Sequence, residues 1–172
     1  MLITNFINLD TCNQMADTLE KTKGIDYTRD IQITNETTLA YYKKFQHWHF
    51  ELTERVSNIF NKTLIPTNDY SRIYTKGAFL EPHHDDPHCE YSVTLNLRNI
   101  PESNSWSFFH RGLNGTVEYK MTPGDAVFYI GPLQLHWREE LTYDKCYQTF
   151  LHWVDLNGTN ADLGIKNYKD FL

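Results

Sequence analysis

Apolar residues follow three successive patterns along this chain, and each predicts a different element. After a short apolar opening from Leu2 to Ile7, "DTCNQMADTLEKTKG" brings Cys12, Met15, Ala16 and Leu19 to one helical face. Asp10 serves there as the predicted N-cap and Gly24 as the C-terminal stop. From about Thr38 to Lys62, the residues Tyr41, Phe45, Trp48, Leu52, Val56 and Ile59 recur at steps of three and four, the period of a long amphipathic helix. His47 and His49 lie within it, two apart, so they cannot share a helical face and read as surface or half-buried histidines.

Beyond Lys62 the pattern changes to short strand-like runs: "DYSRIYT", "YSVTLNLR", "WSFFH", "TVEYK", "DAVFYI", "HWREE" and "CYQTFLHWVD". Turn signals separate them, among them "PESNS", "GLNG", "TPGD", "IGP" and "TYD". No helical segments alternate with these strands, which excludes a parallel βα fold. The expectation is a mainly β protein with N-terminal helices, a jelly roll or sandwich buttressed by two α-helices. A length of 172 residues suits one domain over 1–172, with helical support about 8–62 and a β core about 65–156.

Composition narrows the function classes. Sixteen Lys and Arg against 22 Asp and Glu leave a net charge of -6, a field that repels phosphate backbones, so no nucleic-acid partner is expected. Cys12, Cys89 and Cys146 are odd in number and form no Cys-x-x-Cys pair, which argues against a disulfide framework and fits a reducing cytoplasm. A signal-peptide pattern and a membrane-length apolar run are both missing, so no membrane association is expected. Neither a Gly-x-Ser-x-Gly elbow, a Gly-rich phosphate loop nor a His-Glu-x-x-His helix occurs, which removes the common hydrolase and nucleotide-enzyme motifs.

Candidate chemistry is concentrated in "LEPHHDDPH", residues 80–88, where five side chains can ligate a metal. Two histidines and one carboxylate on one side of an ion leave its remaining positions open for oxygen chemistry. His-x-Asp on a strand or its exit turn supplies two of the three, because alternate residues point the same way. Both His83 with Asp85 and His84 with Asp86 meet that condition. The third ligand has to come from a strand distant in sequence.

The segment "YTKGAFLEPHHDD" resembles the Tyr-x-x-Gly-x5-His-x-Asp stretch of the Fe(II)- and 2-oxoglutarate-dependent oxygenases, most closely the prolyl 4-hydroxylase branch. "TPGDAVFYIGPLQLHWREELTYDK" resembles their later stretch, a Pro-Gly-Asp turn, an apolar strand, a distal His and a basic residue nine or ten places on. Together these cover roughly residues 70–155. The resemblance implies a double-stranded β-helix with His83, Asp85 and His136 as iron ligands, and it leaves His84, Asp86 and His88 as neighbours of the site. It also implies Fe(II), 2-oxoglutarate and O2 as reactants, with ascorbate as an accessory. Asp85 in the carboxylate position implies hydroxylation and not halogenation.

Within the same resemblance, Lys145 matches the usual slot for the cation that binds the far carboxylate of 2-oxoglutarate, with Lys in place of the commoner Arg. Arg138, two residues after His136 on the same strand, is its rival, and Arg98 is a third candidate. Tyr74 matches a family tyrosine whose hydroxyl reaches the cosubstrate, although a core role for it is as natural. The implied substrate is a prolyl residue in a peptide or protein; a free amino acid or other small metabolite is the alternative. Two other classes remain open from the sequence: a cupin-type metal protein using Glu90, and a binding module that keeps the fold without turnover.

Overall fold

The computed structural model describes residues 1–23, 28–29, 32–33 and 38–168, without the side chains of 28–29 and 165–168. In chain order the elements are β1 (Leu2–Ile3), α1 (Leu9–Thr22), β2 (Thr28–Arg29), β3 (Leu39–Tyr42), α2 (Gln46–Phe60), β4 (Leu64–Thr75) and β5 (Leu80–His83). A 3-10 turn at Pro87–Cys89 leads into β6 (Tyr91–Ile100), β7 (Trp106–Gly112), β8 (Gly115–Met121), β9 (Ala126–Tyr129), β10 (His136–Arg138), β11 (Lys145–Asp155) and α3 (Ala161–Tyr168). The strands form two antiparallel sheets, ordered β1-β9-β6-β11-β4-β3-β2 and β5-β10-β7-β8. This is the mainly β jelly-roll architecture that the strand pattern predicts.

Two apolar layers explain the arrangement. Met15, Ala16 and Leu19 of α1 and Val56 of α2 pack with Leu95, Leu97, Tyr147, Leu151 and Trp153 on one face of the large sheet. Facing the small sheet instead are Tyr74, Cys146 and Phe150, which meet Leu80 and Trp106, while Val127 and Tyr129 meet Phe108 and Met121. Residues of β11 therefore alternate between the helices and the intersheet space, as the two-residue period of a strand requires.

The helix starts differ from the expected ones. Asn8, not Asp10, caps α1, its side chain accepting the Thr11 amide at 2.8 Å. Gly24, the expected stop, lies outside the described residues. The apolar period beginning at Tyr41 does not start a helix there, because Tyr41 lies in β3 opposite Ser71 of β4 and the helix begins only at Gln46. Asp69 of β4 decides this start: its carbonyl accepts the Lys43 amide and its carboxylate the Phe45 amide, each at 3.0 Å. Tyr41 and Phe45 still reach the same core as the helix, so their spacing reflects burial and not helical geometry. Among the described residues no helix is long and apolar enough to cross a membrane.

Candidate metal centre

His83 ends β5 and His136 begins β10, and the two are direct cross-strand partners. That pairing sets their rings 4.3 Å apart, centroid to centroid. Asp85 follows in the turn, held by its amide, which donates to the Gly131 carbonyl at 3.1 Å. Its Oδ1 lies 3.5 Å from His83 Nε2 and 3.4 Å from His136 Nε2. One ligand atom from each of the three falls within 4.8 Å of the others.

The hydrogen bonds behind the rings test whether this cluster suits a cation. His83 Nδ1 lies 2.8 Å from the Glu81 carbonyl, and His136 Nδ1 lies 2.8 Å from the Gln134 carbonyl. A carbonyl only accepts, so both Nδ1 atoms carry hydrogen, and in each neutral ring the Nε2 lone pair is left facing Asp85. Three acceptors then converge, an arrangement that a divalent ion satisfies. Among the described residues Asp85 Oδ2 is also buried without a partner. Tyr129 and Phe108 pack against the His136 ring at 4.6 Å and 5.5 Å and keep it from turning.

Gly131 is a site residue that no motif marked. A Cβ there would fall 2.5 Å from both Asp85 Oδ2 and the Cys89 carbonyl, so only glycine lets the chain pass behind the carboxylate. His84 and Asp86 are exposed and His88 half-buried, and none of them joins the cluster. Glu90 accepts the Asp155 amide at 3.2 Å, away from the ligands.

The basic candidates separate by strand face. Arg138 points into the intersheet space and is 1% exposed. Its NH1 donates to the carbonyls of Trp106 and Ser107, and its NH2 lies 3.2 Å from both Thr94 Oγ1 and Gln148 Oε1. Among the described residues none of its partners is a carboxylate, and its buried Nε has no partner. Lys145 leaves β11 on the helical side and pairs with Glu20 of α1 at 2.7 Å. Arg98 likewise pairs with Asp17 of α1, at 2.8 Å. Tyr74 is fully buried between the sheets, edge-on to Trp106, and its hydroxyl accepts from Arg72 NH1 at 2.9 Å. Arg72 itself is a second interior arginine; its alternation with Tyr70 and Tyr74 in "YSRIY" is the signal that could have revealed it.

Two further histidines border the centre. His110 sits opposite His136 on β7, with Nε2 3.2 Å from the Tyr119 hydroxyl and a buried, unpartnered Nδ1. His152 is buried near Asp85, and His49, expected at the surface or half-buried, is instead 3% exposed, donating from Nε2 to the His152 carbonyl at 2.9 Å. Trp153 packs edge-on against the His49 ring, which explains its burial.

Several solved structures with a similar architecture are of 2-oxoglutarate-dependent proteins. A Pseudomonas putida prolyl-4-hydroxylase superposes with a TM-score of 0.67 at 14% identity, covering 88% of this chain and 90% of that one. The chain has the fold of the 2-oxoglutarate and Fe(II) oxygenases. HygX from Streptomyces hygroscopicus, with nickel, 2-oxoglutarate and hygromycin B bound, matches at TM-score 0.71 and 14% identity over 92% of this chain and 84% of that one. The viral collagen prolyl hydroxylase of Paramecium Bursaria Chlorella virus-1, in its 2-oxoglutarate complex, matches at TM-score 0.66 and 11% identity over 89% and 94%. No protein-family model matches the sequence, and no curated protein does. Neighbours with this oxygenase fold thus include both prolyl hydroxylases and a protein with hygromycin B bound.

Proposed function

We propose that this protein is an Fe(II)- and 2-oxoglutarate-dependent dioxygenase that hydroxylates an unactivated C–H bond, with a prolyl residue of a peptide or protein as its substrate. The observation that carries the reading is the convergence of His83 Nε2, His136 Nε2 and Asp85 Oδ1, which offers a metal three ligands from one side. Iron bound there supplies oxygen activation coupled to the oxidation of 2-oxoglutarate to succinate and carbon dioxide. The chain's own residues do the rest. Glu81 and Gln134 carbonyls hold the two imidazoles in the ligating tautomer. Tyr129, Phe108 and Gly131 hold the ligand set in register and keep water from behind it.

Arg138 takes the role of cosubstrate anchor in this reading. A buried guanidinium without a carboxylate is costly, and the far carboxylate of 2-oxoglutarate removes that cost while gaining a bidentate partner. Its place two residues after His136 on one strand face, a rise of about 6.6 Å, matches the length scale of a five-carbon keto diacid. Lys145 and Arg98 are occupied by the acids of α1. Tyr74 belongs to the same intersheet wall, and ascorbate dependence belongs to the same proposal.

A second substrate class, a small metabolite, gains support from the HygX complex with hygromycin B. The deciding experiment is an anaerobic titration of the Fe(II) protein with 2-oxoglutarate, where a weak visible charge-transfer band is expected. Its absence defeats the oxygenase reading. Mass spectrometry of proline-containing peptides with enzyme, 2-oxoglutarate and oxygen should then show the gain of one oxygen atom, missing with His83→Ala. If succinate forms only with small molecules, the prolyl assignment falls and the oxygenase one stands.

A further inference from the structure

Asp85 belongs to two clusters of ligand atoms, not one. Besides the set with His83 and His136, a carboxylate oxygen of Asp85, Cys89 Sγ and a ring nitrogen of His152 lie within 4.8 Å of one another. The hydrogen bonds around His152 decide which nitrogen is offered. Ser92 Oγ donates its single hydrogen to the Cys89 carbonyl at 2.9 Å, so toward His152 Nδ1, 2.8 Å away, it can only accept. His152 therefore carries its hydrogen on Nδ1, and Nε2 is a bare lone pair. Among the described residues that Nε2 is buried with no partner, on a residue 2% exposed. It is the same tautomer, held from behind in the same way, as in the two histidines of the first cluster.

We propose that Asp85, Cys89 and His152 form a second metal site, selective for a thiophilic divalent ion such as zinc or cadmium, whose occupation competes with iron for Asp85. Three observations carry it: the shared carboxylate, a buried His152 whose Nε2 has no partner among the described residues, and a cysteine beside both. Binding replaces the S–H bond of Cys89 by a metal–sulfur bond and releases the proton to solvent. Thiolate, carboxylate and neutral imidazole together balance a charge of two, as a low-dielectric site requires. Ligand type separates the sites: imidazole and carboxylate suit iron, while a thiolate favours zinc and cadmium. Because one carboxylate serves both, each ion weakens the other by the same factor.

The competition rests on the reading of His83, Asp85 and His136 as iron ligands, whereas binding at the second cluster does not, and the test separates the two. Metal-free protein carrying both His83→Ala and His136→Ala is titrated with cadmium while the thiolate-to-cadmium charge-transfer band is followed in the ultraviolet. One equivalent producing the band, and its loss on adding Cys89→Ser or, as a second variant, His152→Gln, is the expected result. No band, or a band unchanged by both substitutions, overturns the site. In the wild type, zinc should weaken Fe(II) binding at least tenfold, with relief in Cys89→Ser; an unchanged iron affinity overturns the competition. A cadmium band in a protein that binds no iron overturns the oxygenase reading alone.

Discussion

The Gly131 carbonyl accepts the Asp85 amide at 3.1 Å, and no atom beyond a hydrogen fits on the Gly131 α-carbon beside Asp85 Oδ2. A loop residue with no chemistry of its own thus sets the position of a ligand. Gly131→Ala forces either the carboxylate or the Cys89 backbone to move, since the added methyl meets both at 2.5 Å. Disturbing what orients a ligand lowers metal affinity about 10–100-fold. Anaerobic Fe(II) titration should show that loss; unchanged affinity would mean that the loop yields and Asp85 does not.

Arg138 and Lys145 make opposite predictions for the cosubstrate. Arg138→Met removes the buried cation and should raise the 2-oxoglutarate requirement at least ~30-fold, from about 2 kcal/mol or more for losing a buried charge partner. The same variant should melt no lower than wild type without cosubstrate, because an apolar side chain replaces an uncompensated charge. Lys145→Ala breaks only a half-exposed pair with Glu20, worth up to about 1 kcal/mol, and should leave the 2-oxoglutarate requirement unchanged. Reversal of these two results would return the role to Lys145.

Within "LEPHHDDPH" the structure separates residues that composition treats alike. Substituting Ala for His83, Asp85 or His136 should abolish iron-dependent succinate formation. His84→Ala should leave most of it, because that side chain is exposed and outside the cluster. Equal losses at His83 and His84 would show that the wrong member of the pair has been assigned.

Stability should fall with acid in a defined window. Desolvation holds His49 down to about 3 and His152 to about 4, below the ordinary histidine value of about 6.5. Between those limits the unfolded chain binds protons that the folded one refuses. The contribution is therefore complete above about pH 6.5 and is lost as pH falls toward 4, by about 1.4 kcal/mol per pH unit for each histidine. Urea unfolding between pH 7 and 4.5 checks the slope, and His49→Gln should reduce it. An unaltered slope in that variant would show that His49 titrates freely in the folded protein.

Much of the architecture follows from local pattern. Each strand-like run from "DYSRIYT" to "CYQTFLHWVD" overlaps a strand, although "HWREE" keeps only His136–Arg138 and "DAVFYI" only Ala126–Tyr129, and the apolar face of α1 is the one its spacing predicts, because period and turn chemistry act over a few residues. The start of α2 was not legible. Asp69, more than twenty residues later in sequence, takes up the amides of Lys43 and Phe45, and that is a tertiary contact.

The two-residue period of a strand exit brought out His83 with Asp85 and His84 with Asp86 alike, and only the resemblance to the oxygenase family pointed to the first pair and to His136. Which cation faces them was not legible. β11 is covered on one side by helices and on the other by the small sheet, so both its faces are buried and both mix apolar with polar residues: Tyr147, Leu151 and Trp153 beside Thr149 on one, Cys146 and Phe150 beside Gln148 and His152 on the other. With no face set apart by polarity to give the parity away, sequence could not tell that Lys145 turns toward α1. Register between β5 and β10, the close passage of Gly131 and the nearness of Cys89 and His152 to Asp85 depend on how separate strands stack, and only the folded chain decides that.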